Sequence, residues 1–292
     1  MDLITRIADI IIPVFLIVAI GYGYARRRPP DLSSFNRISL DVLAPLLVYS
    51  ALASRDFAIG EHVPLLIGGT ALILGSGLLA WPLAKAFGAQ PRTLVPVVMF
   101  NNCGNMGLPL ALLAFGPANF GAAVALFSVS NLLHFSLGAR VTSAAARTRD
   151  LLLSPLMVAT MLGFFSAFTE LRPPPVLLSG LKLLGDAALP LMLFALGVRL
   201  TGLTRQGLAL GLLGALARPL IGLAIGIPLA WAMGLEGAAR GQLLLFAALP
   251  PAVIQFMLAD RYHQEPEKVA ASIMVGNALA VVFVPLALAL GL

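Results

Sequence analysis

Apolar runs of about twenty residues recur along the whole chain, and the short breaks between them hold most of its charge. A helix needs about 20 residues to cross a hydrocarbon core of roughly 30 Å, so each run predicts a membrane-spanning helix. Cutting at the polar breaks gives ten such spans, at about residues 3–25, 35–54, 62–87, 93–114, 117–139, 150–169, 177–199, 206–233, 240–259 and 267–291. The first run, Leu3 to Tyr24, has no compact basic segment before it and no small-residue cleavage site after it. It reads as a retained span rather than a signal peptide.

With ten spans, one side of the membrane receives Arg26, Arg27, Arg28, Arg37, Lys85, Arg92, Arg140, Arg147, Arg149, Arg199, Arg205, Arg261 and Lys268. The other side receives only Arg6, Arg55, Arg172, Lys182 and Arg240. The basic side is the cytoplasmic one by the positive-inside rule, which places both termini outside the cytoplasm in a plasma (inner) membrane. Composition agrees with a lipid-embedded chain: 59% of residues are hydrophobic, 11% are charged, and the mean hydropathy is +0.96. The net charge of +6 lies in loops between spans and serves as a topology signal, so no nucleic-acid partner is expected. A single cysteine, Cys103, excludes an internal disulfide or a cysteine metal cluster.

The second half of the chain repeats the first. Pro13 and Gly21 match Pro155 and Gly163; Arg37, Asp41, Pro45 and Leu46 match Lys182, Asp186, Pro190 and Leu191; and Pro82–Gly88 matches Pro228–Gly234. Asn131 falls on Asn277. With an odd number of spans per repeat, the second copy enters the membrane from the opposite side, the plan of many secondary transporters. The expected organisation is a first repeat over residues 1–140, a cytoplasmic linker over 141–149 and an inverted second repeat over 150–292.

Two spans should be interrupted, the alternative being that their Gly and Pro merely kink them. The fourth holds Asn101, Asn102, Gly104, Asn105, Gly107 and Pro109 at its centre, and the ninth holds Pro250 and Pro251. Such backbone survives at membrane depth only against protein or a cavity. At a constant repeat offset Gly104 and Asn105 fall on Pro250 and Pro251, so the breaks should cross near the midplane, with half-helix N-termini aimed at a spot suited to an anion.

On Asn102–Pro109, on Asp41 through Pro45, and on the Pro250–Pro251 crossover followed by the Asn277 span, the chain resembles the auxin efflux carrier family, the bacterial relatives of the plant PIN auxin exporters. The resemblance covers essentially the whole chain. It implies an all-α membrane fold of the bile-acid-symporter type, with ten transmembrane helices in two inverted repeats. It also implies a scaffold of spans 1, 2, 6 and 7, often dimeric, and a moving transport unit of spans 3–5 and 8–10 with an elevator mechanism. Substrates of such relatives are small organic anions, an auxin-like monocarboxylate or a dicarboxylate such as malate or malonate. The long cytoplasmic loop of the long plant exporters is missing, with only Ser143 to Asp150 in its place.

Candidate substrate-binding residues are then Asn101, Asn102, Gly104, Asn105, Asn131, Pro250, Pro251, Gln255, Asn277 and Arg218. Asparagine amides can donate to a carboxylate or cap the half-helices themselves, and Asn131 and Asn277 can equally make interhelical bonds. Arg218, at the centre of the eighth span, either balances an anionic substrate or pairs with a helix end. Asp41, Asp186 and His134 are candidates for a coupling proton or sodium ion. Arg37 and Lys182, four residues before the two aspartates, offer a structural ion pair instead. No cofactor and no metal site is expected. The sequence holds no His-Glu-x-x-His, no Gly-x-Ser-x-Gly and no convincing carboxylate pair, which argues against an enzyme. An anion channel or a membrane sensor built on crossed half-helices is the alternative to a carrier.

Overall fold

The computed structural model describes residues 2–54, 57–202 and 207–292. Arg55 and Arg205, which entered the charge count above, lie outside the described residues. The helices are α1 (Leu3–Arg27), α2 (Ser33–Leu52), α3 (Ile59–Ala86), α4a (Pro91–Met99), α4b (Cys103–Phe115), α5 (Pro117–Thr142), α6 (Pro155–Thr169), α7 (Pro175–Gly202), α8 (Leu208–Ala232), α9a (Gly237–Ala248), α9b (Ile254–Arg261) and α10 (Pro266–Gly291). A short helix, Thr148–Leu152, precedes α6. Among the described residues seven helices, α1, α2, α3, α5, α7, α8 and α10, are long and apolar enough to cross a membrane. No β-strand occurs among the described residues beyond one isolated bridge.

The remaining apolar segments depart from continuous spans for local reasons. Prolines open α4a, α6 and α7, where the missing amide is one that a first turn leaves unbonded anyway. At α6 the preceding Ser154 is extended, so the run expected from residue 150 is split into a short helix and a 15-residue one. In the fourth and ninth segments the chain leaves the helix at 100–102 and 249–253 and then resumes it.

Glycines set which helices touch. A Cβ on Gly21 of α1 would sit 2.2 Å from the Phe194 carbonyl oxygen, and one on Gly197 of α7 would sit 1.9 Å from that of Val18, so α1 and α7 approach backbone to backbone. Gly185 of α7 lies the same way against Leu47 of α2, and Gly163 of α6 against the Leu52 side chain. Elsewhere, Gly222 of α8 meets Ala247 of α9a, Gly211 meets Ala271 of α10, and Gly69 of α3 meets Leu126 of α5. Close packing therefore gathers α1, α2, α6 and α7 on one hand, and α3, α5, α8, α9a and α10 on the other. The apolar core runs through both sets.

Three π turns interrupt otherwise regular helices: Ser39–Leu43 in α2, Cys103–Gly107 at the start of α4b and His134–Gly138 in α5. The first alters an expected ion pair. Lys182 and Asp186 bond at 2.7 Å on the surface of α7. Arg37 and Asp41, the matching residues, form no ion pair among the described residues. The extra residue per turn swings Asp41 off the face that an i, i+4 partner would share, and Asp41 is exposed.

Candidate functional site

The two broken segments cross and are stitched together by their backbones. The Asn102 amide donates to the Pro250 carbonyl at 2.8 Å and the Ala252 amide to that of Phe100 at 3.1 Å, an antiparallel bridge centred on Asn101 and Pro251. The residue that faces Pro251 is therefore Asn101 rather than Asn105, its match in the repeat. The cause is length: α9a has 12 residues where α4a has 9, close to one extra turn. Gly276 of α10 lets the crossing seat closely, since a Cβ there would lie 2.5 Å from Pro251 Cδ.

Side chains close most of the crossing. Asn101 Nδ2 donates to the Phe246 carbonyl at 2.6 Å. Asn102 Nδ2 donates to Asn277 Oδ1 at 3.0 Å, while Asn277 Nδ2 donates to the Ile273 carbonyl at 2.7 Å. Asn131 turns back on its own helix, to the Phe127 carbonyl at 3.0 Å. Arg218 is wholly buried; its Nη2 donates to the Phe246 carbonyl at 3.2 Å and its Nη1 to that of Ala247 at 3.4 Å, at the C-terminal end of α9a, where the helix dipole favours a cation. The structure thus gives Arg218 a helix-end partner. Its Nε has no hydrogen-bond partner among the described residues.

Beside the crossing lies an open cavity of about 90 Å³. Asn101, Asn102, Gly104, Asn105, Asn131 and His134 line it, together with Ala252, Val253, Ile254 and Met257 from the second break. Each of the three π turns contributes to its wall: Ser39 and Leu40, Cys103 through Asn105, and His134. A π turn adds a residue and redirects the side chains around it, which explains why polar groups converge here from three helices. The amides of residues 103–105 precede the first bond within α4b, and the next two, of Met106 and Gly107, both return to the Asn102 carbonyl. The positive end of α4b therefore faces the cavity. Among the described residues Asn105 has no side-chain hydrogen-bond partner and Asn101 Oδ1 is buried without one, so both leave polar capacity unused at the cavity wall.

His134 stacks face to face on Phe100, with ring centroids 4.0 Å apart. Its Nε2 lies 2.9 Å from Gln255 Oε1; Gln255 Nε2 donates to Thr142 Oγ1 at 3.1 Å, and Thr142 Oγ1 to the Gly138 carbonyl at 2.9 Å. Gln255 is thus a fully bonded strut between α9b and α5. Gln255, Pro250, Pro251, Asn277 and Arg218 support the cavity from behind rather than line it. Asp41 and Asp186 do not line it either.

The cavity also holds residues that the sequence pattern did not single out for binding: Asn36, Ser130 and Arg199. Arg199 lines the wall two turns along α7 from Met192, with Ala195 between them on the same face. In the sequence it counts only as one more basic residue at a span end. Among the described residues, groups of acids, histidines and cysteines that could hold a metal ion do not occur.

The model of a family described as membrane transport protein matches residues 7–141 and 140–288 of this chain. The chain belongs to this family, that of the auxin efflux carriers. Family membership makes it an integral membrane transporter rather than an enzyme. A putative malonate transporter of Rhizobium meliloti is 25% identical over 302 residues, covering 94% of this chain and 93% of the relative. An uncharacterized transporter of Methanocaldococcus jannaschii is 22% identical, covering 95% of this chain and 96% of its own. Auxin efflux carrier component 8 of Arabidopsis thaliana is 26% identical over 139 residues, 45% of this chain and 38% of the relative.

Proposed function

We propose that this chain is a secondary carrier of a small organic anion, a carboxylate, that works by elevator-type alternating access about the crossed breaks of α4 and α9. The observation that carries the reading is the cavity beside the crossing: it is faced by the N-terminal end of α4b and by the unbonded amide of Asn105, and its lining contains no Asp or Glu among the described residues. Such a wall attracts a carboxylate, which meets amide donors and no competing carboxylate among the described residues. The malonate transporter among its relatives supports a carboxylate of few carbons.

In this reading residues 1–140 and 150–292 are two inverted five-span repeats joined by 141–149, and α4 and α9 each count as one span. The packing of α1, α2, α6 and α7 as one set supports a scaffold, with α3–α5 and α8–α10 as the unit that carries the substrate. A homodimer would form through the scaffold, with the termini on the non-cytoplasmic side of the inner membrane. Of the three ion-coupling candidates, only His134 reaches the cavity, which favours a proton over sodium as the coupling ion.

The test is binding and transport together. Mono- and dicarboxylates that occupy the cavity raise the melting temperature of the purified protein by mass action. In proteoliposomes a carrier shows saturable uptake and counterflow of the same labelled compound. Asn105→Ala should lower ligand-induced stabilisation and counterflow while leaving the ligand-free melting temperature in place. Uptake that neither saturates nor shows counterflow would mark a channel, binding without uptake would mark a sensor, and transport indifferent to Asn105→Ala would remove the cavity from the mechanism.

A further inference from the structure

Arg199 brings a full positive charge into the cavity wall, and among the described lining residues it is the one with a permanent charge. Its surroundings do not neutralise it. Nη2 donates to Asn36 Oδ1 of α2 at 2.8 Å, and no ion pair among the described residues includes it. A guanidinium has five N–H donors in a planar fork matched to a carboxylate. With one donor spent on Asn36, the rest meet no protein acceptor among the described residues. A span-end arginine serving only topology would extend toward water, as the exposed Arg26, Arg27 and Arg28 do at the end of α1. Arg199 is instead half-buried and tied to a second helix beside the cavity.

Its position relative to the breaks matters as much as its charge. α7 packs against the first turn of α4b, so Arg199 shares one cavity with the amide end of that half-helix while standing on a different helix set. The cavity accordingly offers two separate anion-favouring points: the α4b end with Asn105, and the Arg199 fork steadied by Asn36.

We propose that Arg199, oriented by Asn36, is a second anion subsite that takes the distal acidic group of a dianionic substrate and so selects dicarboxylates over monocarboxylates of equal chain length. This rests on the carrier reading above, with one carboxylate at the α4b end. The bond to Asn36 fixes the plane of the fork before a ligand arrives, which reduces the ordering cost of the second contact.

The experiment is a ligand-titrated thermal shift on the purified full chain, using the pairs propionate with malonate and butyrate with succinate, followed by counterflow of whichever compounds bind. Wild type should favour the dicarboxylate of each pair by at least about tenfold, the size of one charge-assisted hydrogen bond. Arg199→Gln should abolish that preference and leave monocarboxylate affinity within about twofold of wild type, since a general loss of site integrity would weaken both alike. Arg199→Lys, which keeps the charge but loses the fork, and Asn36→Ala, which frees it, should each retain a reduced preference. If Arg199→Gln does not fold, a reduced preference in those two variants with unchanged monocarboxylate affinity carries the same conclusion. A preference that survives all three variants, or equal loss for both members of each pair, overturns the subsite while leaving the carrier reading intact. Wild type that neither binds nor exchanges either class overturns both.

Discussion

The break in α4 and the break in α9 meet at one bridge, yet they leave opposite things behind. At α9 the two prolines carry no amide hydrogens, so the interruption creates few donors to satisfy, and the carbonyls that end α9a are taken by Asn101 and Arg218. At α4 the interruption is made by asparagines and a glycine, whose amides and side chains persist, and Asn105 and one oxygen of Asn101 stay without protein partners. One break is closed by the protein; the other is left for something else to close. Two interruptions at one place need not share a role, and the unused polar capacity, rather than the interruption itself, marks the side where chemistry with a ligand can occur.

That contrast can be broken most severely from the closed side. Arg218→Leu leaves the Ala247 carbonyl buried without a donor and removes the charge that faces the end of α9a. The expected loss is about 3 kcal/mol, measured as a drop in the ligand-free melting temperature or in chemical denaturation of the detergent-solubilised protein. No loss would mean that water or lipid already closes that helix end. A smaller effect separates the asparagines: Asn102→Ala breaks the bond to Asn277 and should cost about 1 kcal/mol, whereas Asn105→Ala should cost none measurable. Equal costs would erase the distinction between a bonded and an open side chain at the same break.

The smallest effect concerns the loop that ends the α9 segment. Glu265 accepts from Thr93 Oγ1 at 2.6 Å and from Lys268, tying this loop to the start of α4a. Partial burial acts to raise its pKa, but the bonds from Lys268 and Thr93 with the ammonium charge outweigh burial, and the net direction is below the ordinary 4.5. A lowered carboxylate pKa stabilises the fold above the unfolded value, and that contribution fades as pH falls through the folded value. Melting temperature should therefore fall slightly more steeply below about pH 4.5 in wild type than in Glu265→Gln, and parallel curves would show that the tie carries no weight.

Much of this arrangement is legible in the residues. Runs of apolar sequence locate the helices to within a few positions, and the asparagine, glycine and proline clusters locate both breaks, because in lipid a freed backbone group has few remedies. The Lys182–Asp186 pair is legible because α7 is regular there. Its counterpart is not, because nothing in Ser39–Leu43 announces a π turn, and one extra residue moves Asp41 away from Arg37. The same shift of register hides the facing of Asn101 by Pro251, since α9a is about a turn longer than α4a. Arg199 escapes for another reason: a basic residue at a span end already has an explanation in topology, and only the packing of α7 beside α4b reveals that its fork turns to a cavity.

The burial of Arg218 has an electrical consequence. Its charge is fixed at any physiological pH and is housed among the helices proposed to travel. A displacement of one elementary charge across the whole membrane potential involves about 2.3 kcal/mol per 100 mV. With the dianion proposed above aboard, that charge would be over-balanced to a net negative one; empty, it would stay positive, so the loaded and the return strokes would feel the field in opposite senses.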